Sequence, residues 1–336
     1  MPVVGLAEVL AGAIVLSLTA YVLLAGADFG GGVWDLLASG PRRQKQRDLI
    51  AHAIAPVWEA NHVWLILALV LLFTCFPAAF SLVSTTLHLP LIFMLVGIVL
   101  RGSAFTFRSY GAEDSAAQLH WGRIFAIASL LTPLLLGVVL GAVATGRVLP
   151  PAGRGFVEDF VRPWAAPFPA AVGLFTLTLF AFIAAVYLTV EAKDPNLRED
   201  FRRRALQAGL AVFGAALLTL ALAWREAPLV WQGLVIRPHA VPLHLLTAFA
   251  ATLALWALWS RRFRLARVAA AAQVVLILWG WALAQYPWLV PRTVSIANAA
   301  APAITLKLTA IALAIGAAVL VPSLAYLFRI FKSIER

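Results

Sequence analysis

The run IAPVWEANHVWLILALVLLF, residues 54–73, opens on a proline, a carboxylate and an imidazole and then becomes unbroken hydrocarbon. A helix rises about 1.5 Å per residue, so this run matches the roughly 30 Å apolar core of a bilayer. Read this way, Glu59 and His62 are ionisable groups at the head of a transmembrane helix. A charge at mid-bilayer costs at least ~2.5 kcal/mol, so such groups are functional candidates by default.

The whole chain follows the same solvent. Apolar residues make up 62% of its 336 residues and charged residues 12%, where a soluble domain holds about 45–50% and roughly 25%. Several apolar runs are long enough to cross a membrane as helices, and none shows the period-two alternation of a transmembrane barrel. The sequence therefore predicts an all-α, polytopic transmembrane protein. The net charge of +11 fits basic membrane loops better than nucleic-acid binding. A single cysteine, Cys75, excludes an intrachain disulfide and a cysteine metal cage. No small-residue cleavage site follows the first apolar run, which reads as a retained helix rather than a signal peptide.

Nine spans are expected, at about 4–26, 50–73, 77–100, 122–145, 168–190, 205–224, 242–259, 267–286 and 303–328. Proline- and glycine-rich breaks such as FP (76–77), LPPAGRG (149–155), DP (194–195) and YPWLVP (286–291) separate them. They group as 1–145 and 168–286, each able to form a four-helix bundle, with a last peripheral helix at 303–328. Alternate connections divide Lys and Arg 19 to 6, with Lys307 inside the last span. The positive-inside rule then places the N-terminus outside and the C-terminus in the cytoplasm of a prokaryotic inner membrane. Trp164, Trp231 and Trp288 fall in or beside outer connections, the depth at which indoles anchor.

Polar residues within or beside the spans carry whatever chemistry there is. Glu59 and His62, three apart, share a helix face, and His52 lies on the same stripe seven residues before Glu59. A carboxyl and an imidazole in line suit a proton path; a satisfied interfacial pair is the plainer alternative. Glu59-x-x-His62 has the spacing of carboxylate-bridged dimetal bundles, but those need a second such motif, and no span supplies it. His88 and His244 lie in spans and are of a type that ligates haem, although no spacing singles them out. Lys307 reads as a paired or snorkelling cation, and Asn298 as a helix cap. In GADFGGGVWDLL, from Gly26, the glycines match neither a P-loop nor a dinucleotide fingerprint. Asp28 there is read either as the cap of a short amphipathic helix carrying Phe29, Val33, Trp34 and Leu37, or as a point of proton uptake.

Together these segments resemble subunit II of the cytochrome bd-type quinol oxidases, including the cyanide-insensitive branch. The resemblance lies in AGADFGGG (25–32), IAPVWEANHVWL (54–65), LRGSAFTFR (100–108) and, more loosely, TVSIANAAAPAITL (293–306). It implies a membrane complex that oxidises quinol and reduces dioxygen, with haem b and haem d held by a partner subunit I. Subunit II would bind no haem, would help deliver cytoplasmic protons, and would hold a possible structural quinone at no identified place. Asp28 and Glu59 match motif positions, as do Asn61, Trp58, Arg101 and Arg108; Asn61 and Trp58 take supporting roles, and Arg101 is expected at the cytoplasmic mouth. The family often carries an acid where this chain has Ala25, so that acid's role does not transfer. The alternatives are a secondary transporter, against which stands the lack of paired broken spans, and a structural scaffold.

Overall fold

The computed structural model describes residues 5–54, 58–110 and 115–333. Pro56 lies outside the described residues, as do the side chains of Trp58 and Arg108. The helices are α1 (Leu6–Leu36), α2 (Arg43–Ile54), α3 (Trp58–Cys75), α4 (Pro77–Thr86), α5 (His88–Tyr110), α6 (Ser115–Ala144), α7 (Phe156–Phe160) and α8 (Pro167–Glu191). They continue as α9 (Pro195–Glu226), α10 (Pro228–Trp231), α11 (Ala240–Trp259), α12 (Phe263–Gln285), α13 (Ile296–Ala299) and α14 (Ala303–Ser333). A two-stranded antiparallel ribbon, β1 (Trp288–Val290) and β2 (Val294–Ser295), joins α12 to α13. Among the described residues eight helices are long and apolar enough to cross a membrane. The bent pair α2–α3, whose axes differ by 54°, makes a ninth.

α8 sits at the centre. Every residue from Leu179 to Val186 is buried, the signature of a helix enclosed on all sides. It packs against α1, α6, α9 and α12. The largest buried apolar cluster takes side chains from α1, α6, α8, α9 and α12, so it draws on both expected helical groups. Of the described side chains of α14 Leu306 alone is buried, and Lys307 is exposed. Asn298 does cap, but within α13: Ser295 Oγ accepts from the Asn298 N–H at 3.2 Å, and Asn298 Oδ1 accepts from the Ser295 N–H at 2.8 Å. Trp164, Trp231 and Trp288 lie in or beside α7–α8, α10 and β1, on the connections assigned to the outer side.

Four expectations need correction. The first span does not end at Gly26; α1 runs ten residues further, through the glycine cluster. Glycine disfavours a helix interior by roughly 1 kcal/mol relative to alanine, but close packing overrides that preference here. A Cβ on Gly30 would overlap the Phe180 carbonyl of α8, one on Gly31 would stand 2.8 Å from Ile54 Cδ1 of α2, and one on Gly32 would overlap Ser129 of α6. The missing side chains let three helices close on α1, and the Trp34 indole N–H locks the contact by donating to the Ala181 carbonyl at 2.7 Å. Asp28 therefore caps nothing; it lies buried in mid-helix.

The third span begins at His88 rather than at residue 77. Phe76-Pro77 does end α3, but Pro77 starts the separate ten-residue helix α4, which closes at Leu87. Pro90 then falls in the first turn of α5, where a missing N–H costs nothing. The shift carries Arg101 away from the mouth where it was expected and into the interior, 1% exposed.

The polar start of α9 serves as a clasp. Arg42, in the segment between α1 and α2, donates to both oxygens of Asp200 at 2.6 and 2.8 Å. Gln46 donates to the same carboxylate at 3.0 Å, and Arg204 donates to Gln46 Oε1 at 2.8 Å.

Candidate functional site

The helix crossings bring a set of polar side chains together inside the bundle. α1 contributes Tyr21 and Asp28, α3 contributes Asn61 and His62, and α5 contributes Arg101. Asn61 Nδ2 donates to Asp28 Oδ2 at 2.6 Å, and both residues are buried. The Arg101 guanidinium stands 4.6 Å from the Phe29 ring centre and 5.2 Å from that of Phe125. It is close enough to Asp28 and Tyr21 to interact with them electrostatically. Arginine keeps its proton in proteins, so a permanent cation lies among aromatic rings with Asp28 as countercharge.

The cluster is not closed upon itself. Arg101 Nε and Nη2, Asn61 Oδ1, and the hydroxyls of Ser129 and Thr132 on α6 are buried with no hydrogen-bond partner among the described residues. Polar groups in this state are normally satisfied by internal water. The His62 ring is half-buried, its centre 5.8 Å from that of Tyr21 and 5.9 Å, edge-on, from that of Phe29.

A cleft of about 370 Å3 between α1, α2, α8 and α12 reaches this cluster. Asp28 and Asn61 line it on one side, and Tyr187, Glu191 and Arg267 on the other. Arg267 Nη1 lies 3.4 Å from Glu191 Oε1, and its guanidinium is 4.6 Å from the Tyr187 ring centre. Glu191 is the last residue of α8 and Arg267 lies in the second turn of α12. The cleft thus leads from the Arg- and Lys-rich end of the bundle to Asp28.

The residues expected from sequence fall into two groups. Asp28, Asn61, Arg101 and, at its edge, His62 come together. Glu59 does not join them: it is exposed at the head of a stripe that continues through Val63, Ile66, Val70 and Phe73, while Asn61, Leu65 and Ala68 face inward. Three-residue spacing places Glu59 and His62 about 60° apart, enough to turn one outward and the other toward Tyr21. His52 is exposed on α2. Sequence reasoning did not single out Tyr21, Ser129, Thr132, Glu191 or Arg267. Tyr21 alone carried a signal, seven residues before Asp28 on the same stripe of α1.

His88 Nδ1 is bonded to the Thr85 carbonyl at 2.9 Å and His244 Nδ1 to the Ala240 carbonyl at 2.8 Å. Among the described residues no three His, Cys, Asp or Glu side chains gather as a metal site.

Residues 6–331 match the family model described as cytochrome bd terminal oxidase subunit II. The chain belongs to that family. It is a subunit of a quinol oxidase complex, an oxidoreductase, and a multi-pass membrane protein. A Bacillus subtilis (strain 168) protein provisionally named cytochrome bd menaquinol oxidase subunit II is 24% identical over 286 residues, covering 82% of this chain and 81% of its own. Cytochrome bd ubiquinol oxidase subunit 2 of the same organism is 25% identical over 66% of this chain and 64% of its own. The fold also matches a chain of the bd oxidase structure from Geobacillus thermodenitrificans, with a TM-score of 0.81, 23% identity, and coverage of 97% of this chain and 98% of that one. None of these similarities supports the transporter alternative.

Proposed function

We propose that this chain conducts protons from the cytoplasm toward a haem-bearing subunit I, through the cleft that ends at Asp28 and Asn61. In this reading the partner holds haem b and haem d, oxidises quinol and binds dioxygen, and a structural quinone in this chain has no assigned place. The Arg- and Lys-rich end of the bundle faces the cytoplasm, as the positive-inside rule requires, with the N-terminus outside and the C-terminus inside the prokaryotic inner membrane.

The observation that carries the proposal is the buried Asp28–Asn61 pair at the end of a cleft whose far side holds Glu191 and Arg267. A carboxylate that accepts from an amide at 2.6 Å and faces a cleft can bind and release a proton. Arg101 supplies that carboxylate with a countercharge in an apolar surrounding. The orphaned groups of Arg101, Ser129 and Thr132 are of the kind that internal water satisfies. Glu59, on the exposed stripe of α3, is suited to a partner-facing relay. Trp58, Arg108, Lys307 and Asn298 are supporting residues.

The test uses the whole complex in proteoliposomes. Asp28→Asn should lower quinol-driven oxygen uptake at least tenfold while haem absorbance per complex stays at the wild-type level. Wild-type turnover in Asp28→Asn would remove Asp28 from the route.

A further inference from the structure

The first turns of α9 meet the α11–α12 turn in a second pocket, of about 390 Å3, lined by Arg202, Trp259, Ser260 and Arg261. One carboxylate serves this site. Glu199 lies 2.7 Å from Arg202, 3.4 Å from Arg203 and 3.7 Å from Arg261. Three guanidiniums against one acid leave a local surplus of two positive charges, to which the exposed Arg262 and Arg264 of the same turn add.

Two further features accompany these cations. The chain turns out of α11 with the Arg261 N–H donating to the Leu258 carbonyl at 3.2 Å and the Arg262 N–H to the Ala257 carbonyl at 2.7 Å. That turn puts Arg261 at φ 57°, a helix-ending position that glycine fills without strain. An arginine there bears a steric cost. The second feature is the setting. Trp259 is 75% exposed, Trp256 lies beneath the Arg262 guanidinium at 5.1 Å, and the adjoining faces of α9 and α11 expose Leu210, Phe213 and Phe249. Exposed indoles mark the depth of lipid headgroups, and the apolar faces beyond them mark the acyl chains.

We propose that this pocket binds the phosphodiester headgroup of an anionic phospholipid from the adjoining leaflet. Arg202 and Arg261 hold the phosphate, Ser260 supplies a hydroxyl, and Trp259 flanks the glycerol, with the acyl chains lying along α9 and α11. Charge complementarity selects the occupant: basic pockets between transmembrane helices recognise anionic headgroups, and a free phosphate would leave the indoles and apolar faces unused. The inference does not depend on the proton route.

The experiment measures the apparent melting temperature of the delipidated complex in detergent, with added phosphatidylglycerol, phosphatidylcholine or inorganic phosphate. Wild type should be stabilised by phosphatidylglycerol and by neither of the others. Arg261→Gly, which relieves the backbone while deleting the guanidinium, should fold at least as well as wild type and lose more than half of that stabilisation. Arg202→Gln combined with Arg261→Gly should lose nearly all of it, and native mass spectrometry should show fewer anionic lipids retained. The proposal is overturned if Arg261→Gly keeps the full response, or if phosphatidylcholine or inorganic phosphate reproduces it.

Discussion

Asp28→Asn separates a structural role for the buried acid from a conducting one. In the wild type Asp28 accepts one short hydrogen bond from Asn61 and provides the countercharge of Arg101. The substitution keeps the shape and can retain a neutral hydrogen bond, so the bond itself loses about 1 kcal/mol. The larger effect falls on Arg101, which is 1% exposed and becomes a buried cation with no countercharge. Losing a buried countercharge costs up to about 3–5 kcal/mol. Adding Arg101→Met removes the uncompensated charge and gives up two ring contacts, each worth roughly 1 kcal/mol. The double variant should therefore be more stable than Asp28→Asn, within about 2–3 kcal/mol of wild type. Apparent melting of the purified complex follows the stability, and oxygen uptake with reduced quinol follows the function. A conducting Asp28 predicts that the double variant regains stability but not turnover. If turnover recovers along with stability, Asp28 only balances the charge of Arg101, and the proton argument fails.

Glu59→Gln and Glu59→Leu, at an exposed position, should change stability by no more than about 0.5 kcal/mol and leave haem content intact while turnover falls; unchanged oxygen uptake in both would take Glu59 off the route. Gly30→Ala should force α1 from the Phe180 carbonyl, cost about 1–3 kcal/mol or more, and reduce the yield of assembled complex. Gly12→Ala, with nothing within 4 Å of the new Cβ, should assemble normally; equal yields from the two would refute the close-packing account of the glycine cluster. Asp159, in the connection between α6 and α8, gives a pH test. Burial alone would raise its carboxyl, but hydrogen bonds from the Arg154 side chain and backbone outweigh burial and hold it below the ordinary range. A lowered folded-state value stabilises the protein above the unfolded value of about 3.9 and loses that effect as pH falls through the folded one. The stability difference between wild type and Asp159→Asn should therefore be full near neutrality and vanish in acid; a difference that grows on acidification would contradict the Arg154 pairing.

Span number and helical class were legible because hydropathy depends on each residue's own chemistry. Helix ends were less so where neighbours decide them. The glycines after Gly26 read locally as a break, yet Phe180, Ile54 and Ser129 come close enough to make them the one residue type that fits. In PAAFSLVSTTLHLP the α4–α5 break is marked by no charge or glycine, only by Ser84, Thr85, Thr86 and His88, which a transmembrane helix tolerates, so hydropathy runs on from residue 77 and sets Arg101 at the end of the span instead of within it. The motifs pick out Glu59 alongside Asp28, Asn61 and Arg101, because linear spacing shows which residues share a helix and not which side of that helix is covered. The partnership of Asp28 with Asn61 spans 33 positions, and only the crossing of α1 and α3 reveals it.

That crossing also bears on the departure at Ala25. Tyr21, Ala25, Asp28 and Gly32 follow one another at four, three and four residues along a single stripe of α1, and all four are buried. An acid at position 25 would stand one turn from Asp28 on that stripe. In this chain the cleft already brings Asp28 into line with Glu191, at the basic end of the bundle. Glu191 lies on the basic side of Asp28, whereas position 25, nearer the outer end of α1, lies on the other side, so a carboxylate on α8 is placed for uptake from the cytoplasm without duplicating an acid at 25. If Glu191 is the uptake point, its amide should slow turnover while leaving the Arg267–Tyr187 contact to hold α12 in place. Full turnover in Glu191→Gln alone would mean that protons reach Asp28 by some path other than this cleft.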